Sequence, residues 1–162
     1  MAQLQPYCAI EGNDDGLPVV FVHGMGVDHR SLMMLDKAFD GNDSIRRIYL
    51  DLPGFGRTPA LPEHACGLPE MADWLQTAID GLVGKAAPFA MVGNSMGGAL
   101  VREVLAREPR RVAGMALIAP VVDPQHAGRH VAEHVVAQPN PKLTHSRSEE
   151  HTSELQSQRT IS

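Results

Sequence analysis

The residues with the clearest chemical potential are Gly93-Asn94-Ser95-Met96-Gly97-Gly98. They follow the apolar run Phe89-Ala90-Met91-Val92 and open a helical pattern from Ala99 to Leu105. Gly-x-Ser-x-Gly by itself is weak; between a strand and a helix it describes a turn that pushes one side chain out of the top of a sheet. Such a turn strains the serine backbone and demands small residues two before and two after it, here Gly93 and Gly97. The helix N-terminus under Ser95 presents unpaired N–H groups and a partial positive charge. The chemistry this suits is attack by the Ser95 hydroxyl on an acyl carbon, with the resulting oxyanion held by those donors.

A second pattern, Phe21-Val22-His23-Gly24-Met25-Gly26, also ends an apolar strand. Gly24 and Gly26 let the backbone approach a ligand, and the Met25 N–H is a candidate second oxyanion donor beside that of Met96. His23 reads as an imidazole that hydrogen-bonds the backbone and shapes the loop, rather than as the general base. With Asn94, it completes the pocket-shaping set.

These loops need elements to hold them. Leu17–Val22 is a continuous apolar run of the kind buried on both faces of a sheet, Ile45–Leu50 is a strand-like run, Pro88–Val92 reads as a third buried strand, and Val112–Ala119 is a further strand. Tyr7–Ile10 is a shorter apolar stretch, closed by EGNDDG. Residues 28–39 alternate charge and hydrophobe at helical spacing. Met71, Trp74, Leu75, Ala78, Ile79 and Leu82 recur on one helical face, and Met96–Arg107 forms another helix. Strands alternating with helices predict a mostly parallel sheet with helices on both faces.

Composition bounds the rest. At 162 residues, 43% hydrophobic and 20% charged, the chain suits one globular core and excludes disordered, collagen-like and disulfide-dense classes. A net charge of −5 gives no reason to expect nucleic acid or an anionic membrane as partner. No apolar run reaches the roughly 20 residues of a membrane span, the N-terminus has no signal-like core, and two cysteines, Cys8 and Cys66, suit free thiols. The expectation is a cytoplasmic protein acting on a small molecule without a cofactor; nothing bears on its oligomeric state. EGNDDG precedes a strand and is acidic, which argues against a phosphate-binding loop.

FVHGMG, DLPGFGRT and VGNSMGG, each at a strand end and in this order, resemble the N-terminal half of the α/β-hydrolase superfamily over about residues 5–122. The resemblance implies an α/β-hydrolase fold, with Ser95 as nucleophile and the Met25 and Met96 N–H groups as oxyanion hole. It implies an ester-like substrate (ester, thioester, lactone, amide or C–C bond) cleaved through an acyl-enzyme. In this family the loop aspartate, Asp51, is a structural residue, with Arg57 the expected internal ion partner. The family's acid and histidine generally follow its seventh and eighth strands, whereas the strands here reach about the sixth. A minority arrangement puts the acid after the sixth strand, which makes Asp123 a candidate. A non-catalytic binding module or pseudo-hydrolase is the alternative function.

After Pro120 the character changes. Residues 1–122 read as the core and 123–146, Pro-, His- and polar-rich, as the start of a lid. His126, His130 and His134 would share a helix face, but Glu133 falls on another face and no cysteine lies nearby, so a solvated face is preferred to a metal site. Residues 147–162, RSEEHTSELQSQRTIS, hold only two large aliphatics, Leu155 and Ile161. They resemble the in-frame translation of a common short-read sequencing adapter. The expectation is a non-native tail, a genuine sequence truncated near residue 146, and a fragment with weak or no turnover.

Overall fold

The computed structural model describes residues 4–122. The lid segment, the tail, Asp123 and the three spaced histidines lie outside the described residues. Within them, five strands form one sheet in the order β1-β3-β2-β4-β5: β1 (Cys8–Gly12), β2 (Leu17–Val22), β3 (Ile45–Leu50), β4 (Phe89–Asn94) and β5 (Val112–Ile118). β2, β3, β4 and β5 pair in parallel. β1 runs antiparallel to β3, with Cys8 opposite Leu50 and Gly12 opposite Arg46. The described residues thus contain one strand fewer than the six of the family count.

Alternation along the strands sends side chains to opposite faces. Val20, Val22, Ile48, Leu50, Phe89 and Met91 pack with helices α2 (Leu68–Val83) and α3 (Met96–Arg107). The α2 stripe of Met71, Trp74, Leu75, Ala78 and Ile79 is the apolar face read from the sequence, and all five are buried. Pro69 sits in the first turn of α2, where its missing N–H costs no helical bond, and Gly84, at φ 97°, follows the last turn. On the opposite face Val19, Phe21 and Tyr49 pack with Leu32, and the Phe21 and Tyr49 rings stack at 4.3 Å.

Residues 28–39 differ from the expected helical segment. They form a four-residue helix, α1 (Arg30–Met33), and a 3-10 turn at Asp36–Phe39. The cause is competition from the sheet. Asp36 accepts hydrogen bonds from Arg47 Nε at 2.6 Å and Tyr49 Oη at 2.8 Å, which draws the chain onto β3 and stops the helix. β5 also departs from the buried pattern: five of its seven residues are exposed, and among the described residues it pairs with β4 alone. Among the described residues, no helix is long and apolar enough to cross a membrane.

Candidate active site

β4 runs straight into α3, and the residue at the junction is Ser95. Its φ of 50° and ψ of −116° are costly for a residue with a Cβ, by about 1–3 kcal/mol. Hydrogen bonds from both sides hold it there. Ser95 N–H donates to Ile118 O, and Ser95 O accepts from Gly98 N–H and Val121 N–H, each at 3.0 Å. Among the described residues Ala119, at φ 42°, is the other non-glycine residue with positive φ, so the strained turn and the segment clasping it are strained together.

Close approach explains the glycines. A Cβ on Gly97 would lie 2.2 Å from Val22 O and 2.5 Å from His23 O, and one on Gly93 would lie 2.6 Å from a Val101 methyl. A Cβ on Gly24 would meet the Ser95 Cβ at 3.0 Å and Asn94 Oδ1 at 3.1 Å, so the His-Gly-Met-Gly loop lies directly against the elbow. Gly26 has open space around it, and its φ of 77° is what requires glycine there. Asn94 donates from Nδ2 to Ile118 O at 3.1 Å, the carbonyl that also receives Ser95 N–H.

The Met25 N–H, one residue past Gly24, and the Met96 N–H, at the first residue of α3, donate to no protein group among the described residues. The Met25 side chain is exposed and that of Met96 is buried. Ser95 is half-buried, and among the described residues no side chain hydrogen-bonds its hydroxyl. The cleft of about 440 Å³ between α2 and α3, lined by Leu68, Ala72, Leu100 and Arg102 among others, does not include Ser95.

His23 is fully buried with both ring nitrogens engaged: Nδ1 donates to Gly24 O at 2.7 Å, and Nε2 accepts from Leu52 N–H at 3.0 Å. This tautomer follows from the partners, since a backbone N–H cannot accept. Burial pushes the imidazole pKa below its usual 6.5, with smaller opposing effects from the Gly24 carbonyl and Asp51. The neutral ring's contribution is therefore complete above pH 6.5 and is lost as pH falls from there toward the lower folded value. Thermal unfolding should show a midpoint that declines between pH 7 and 5, and His23→Gln should shrink that decline. An unchanged slope in the variant would contradict this role.

Asp51 carries the greatest load around the loops. It is fully buried, and its Oδ1 accepts from His29 N–H and His29 Nδ1–H, both at 2.8 Å. Oδ2 accepts the backbone N–H of Arg57 at 2.9 Å. This corrects the expected ion pair, because the Arg57 guanidinium instead lies 4.4 Å over the Tyr7 ring. A Cβ on Gly56 would fall 2.1 Å from Asp51 Oδ2, which explains the second glycine of Pro-Gly-x-Gly. His29, the side-chain partner, was missed in the sequence; it belongs to no motif and stands 22 residues away. Asp51→Ala strands two buried donors of His29 and the part-buried Arg57 N–H, and should cost about 3–5 kcal/mol in urea unfolding, as for a broken buried polar cluster. A loss under about 1 kcal/mol, that of one ordinary hydrogen bond, would refute the network's importance.

The family profile described as "alpha/beta hydrolase fold" matches residues 18–140. A putative non-heme haloperoxidase of Mycobacterium phage D29 is 34% identical over 113 residues, covering 68% of this chain and 38% of that protein. The pimeloyl-[acyl-carrier protein] methyl ester esterase of Legionella pneumophila (strain Paris) is 32% identical, covering 64% of this chain and 38% of that protein. The crystal structure of an alpha/beta superfamily hydrolase from Oenococcus oeni PSU-1 superposes with a TM-score of 0.68 over 88% of this chain and 57% of that chain; at 24% identity this shows the fold. The chain spans 26–38% of the length of the four curated relatives it matches. It belongs to the alpha/beta hydrolase fold family.

Proposed function

We propose that the chain carries the nucleophile half of a serine hydrolase for a small ester-like substrate, with an acyl-enzyme formed on Ser95. The observation that carries this reading is Ser95 at φ 50° between β4 and α3, with Gly24 packed against it. In the mechanism, the Ser95 hydroxyl attacks the carbonyl carbon, and the Met25 and Met96 N–H groups hold the oxyanion. Each such donor contributes about 10²–10³ in rate where it has been removed from comparable sites. The leaving group departs and water later releases the acid.

A serine hydroxyl needs a base to take its proton. His23 has neither nitrogen free, and the His29 Nδ1 is committed to Asp51. The proposal therefore assigns base and acid to positions outside the described residues, Asp123 remaining a candidate acid. It gives this chain weak or no turnover. That missing contact also favours the second reading, a non-catalytic binding module that keeps the pocket.

Fluorophosphonate labelling followed by peptide mapping tests the choice. An adduct on the Ser95 peptide that disappears in Ser95→Ala supports the hydrolase. A folded chain, or a longer protein containing it, that never labels at Ser95 supports the binding module.

A further inference from the structure

Beyond Ser95, the same end of the sheet carries a second polar cluster. Tyr7 (before β1), His29 and Arg30 (after β2) and Gly56 and Arg57 (after β3) line, with Asp28, a cleft of about 360 Å³. Its charges are unequally committed. Arg30 grips Asp28, with Nε to Oδ1 at 2.9 Å and Nη2 to Oδ2 at 2.5 Å. That grip holds the Asp28 carboxyl down at about 2. Asp51 lies at the base, fully buried and already accepting three N–H groups. Asp28, His29 and Asp51 offer possible metal-ligand atoms within 4.8 Å of one another, but both carboxylates are occupied in this way.

Arg57 differs. Among the described residues no carboxylate lies within 4 Å of its guanidinium, and its side chain donates no hydrogen bond. It lies instead 4.4 Å over the Tyr7 ring. Stacking on the ring face leaves the N–H fork of a guanidinium free at its edge. The backbone beneath is pinned: Arg57 N–H to Asp51, Tyr7 N–H to Thr58 Oγ1 at 2.9 Å, and Asp51 N–H to Tyr7 O at 2.9 Å. The ring is further held by the His29 imidazole, 5.2 Å away. The formal charges of Asp28, Asp51, Arg30 and Arg57 cancel, but Asp51 is fully buried while the Arg30 side chain is 78% exposed and Arg57 is also exposed. The mouth therefore presents cations and donors.

We propose that this cleft binds an anionic group, a carboxylate or a phosphate monoester, with Arg57 as its forked partner. Stacked Arg57 is stiff before the ligand arrives, so little side-chain freedom is lost on binding. β3 lies two strands from β4, so at about 4.8 Å per strand the strands carrying Arg57 and Ser95 are roughly 10 Å apart, with both residues at the carboxyl end of the sheet. Resting on the hydrolase reading, this makes the preferred substrate an ester that carries a negatively charged group remote from its carbonyl.

The test uses the 162-residue chain carrying Ser95→Ala, titrated at constant ionic strength with inorganic phosphate and separately with acetate. The readout is the ¹⁵N–¹H shifts of the Arg57 and His29 amides. The expected result is saturable binding of at least one anion, with a dissociation constant on the order of millimolar, as suits a single fork contact. In that background Arg57→Ala should weaken it at least tenfold and Arg57→Lys several-fold through loss of the fork. The stronger of the two anions identifies the source of the group. Shifts that never saturate, or that persist unchanged in a folded Arg57→Ala, overturn the proposal. Because the binding arm uses Ser95→Ala, its failure is distinct from a failure of Ser95 to label, which would overturn the hydrolase reading alone.

Discussion

Gly97→Ala should destabilise the chain by about 3 kcal/mol or more, as expected where a methyl group is forced into a packed backbone contact. The added Cβ would sit 2.2 Å from Val22 O and 2.5 Å from His23 O. Both obstacles are main-chain atoms at the end of β2, and neither can swing aside as a side chain can. α3 must lift away from the sheet, taking the Met96 N–H with it. Gly97 is not among the positive-φ glycines, so the effect is steric and not conformational. Gly26→Ala supplies the contrast: with nothing within 4 Å, it bears only its φ of 77° and should cost about 1–2 kcal/mol. Domain stabilities run to about 5–15 kcal/mol, so the Gly97 variant should lose a large part of its urea resistance and the Gly26 variant little. Equal midpoints for the two would mean that the packing of α3 against β2 does not set the position of the elbow.

Ser95→Ala has the largest predicted effect on chemistry and a small one on stability. With base and acid in place, removing the nucleophile of a serine hydrolase typically costs a factor on the order of 10⁶; in this chain, to which the proposal gives neither, the effect is read as loss of acylation at residue 95. Folding should be nearly untouched or improved, because the clasp on Ser95 uses only its backbone N–H and C=O, which alanine retains. The variant still carries a Cβ at φ 50°, so the local strain persists. Ser95→Gly would relieve that strain while also removing the hydroxyl. Lost acylation with unchanged unfolding in Ser95→Ala would separate chemistry from architecture.

Local signals made much of this fold legible. The runs at 17–22 and 45–50 bury their last four residues, and the stripe from Met71 to Ile79 is buried as its spacing predicts, because the strand and helix periods are local to the sequence. The two glycine loops were readable for the same reason: their spacing states a steric demand that any strand-to-helix turn would make.

What stayed hidden depends on partners distant in sequence. Nothing in residues 28–39 announces that Asp36 will be captured by Arg47 and Tyr49, so a twelve-residue helical pattern yields four helical residues and a 3-10 turn. The antiparallel direction of β1 is set by its pairing with β3, some forty residues on. Asp51 was recognisable as structural, but its partner was not. Charge alone favoured Arg57; geometry gave the carboxylate to His29 and left the arginine on Tyr7.

The most direct measurement is the rate of fluorophosphonate modification of Ser95 by mass spectrometry, with free imidazole supplied as a base. The folded chain should label on the Ser95 peptide, faster with rising imidazole and on the order of 10²–10³ times faster than the urea-unfolded chain, since the preorganised N–H donors exist only when folded. Ser95→Ala should not label there. Equal rates in folded and unfolded chains, or no adduct on the Ser95 peptide of the folded chain, would contradict the account.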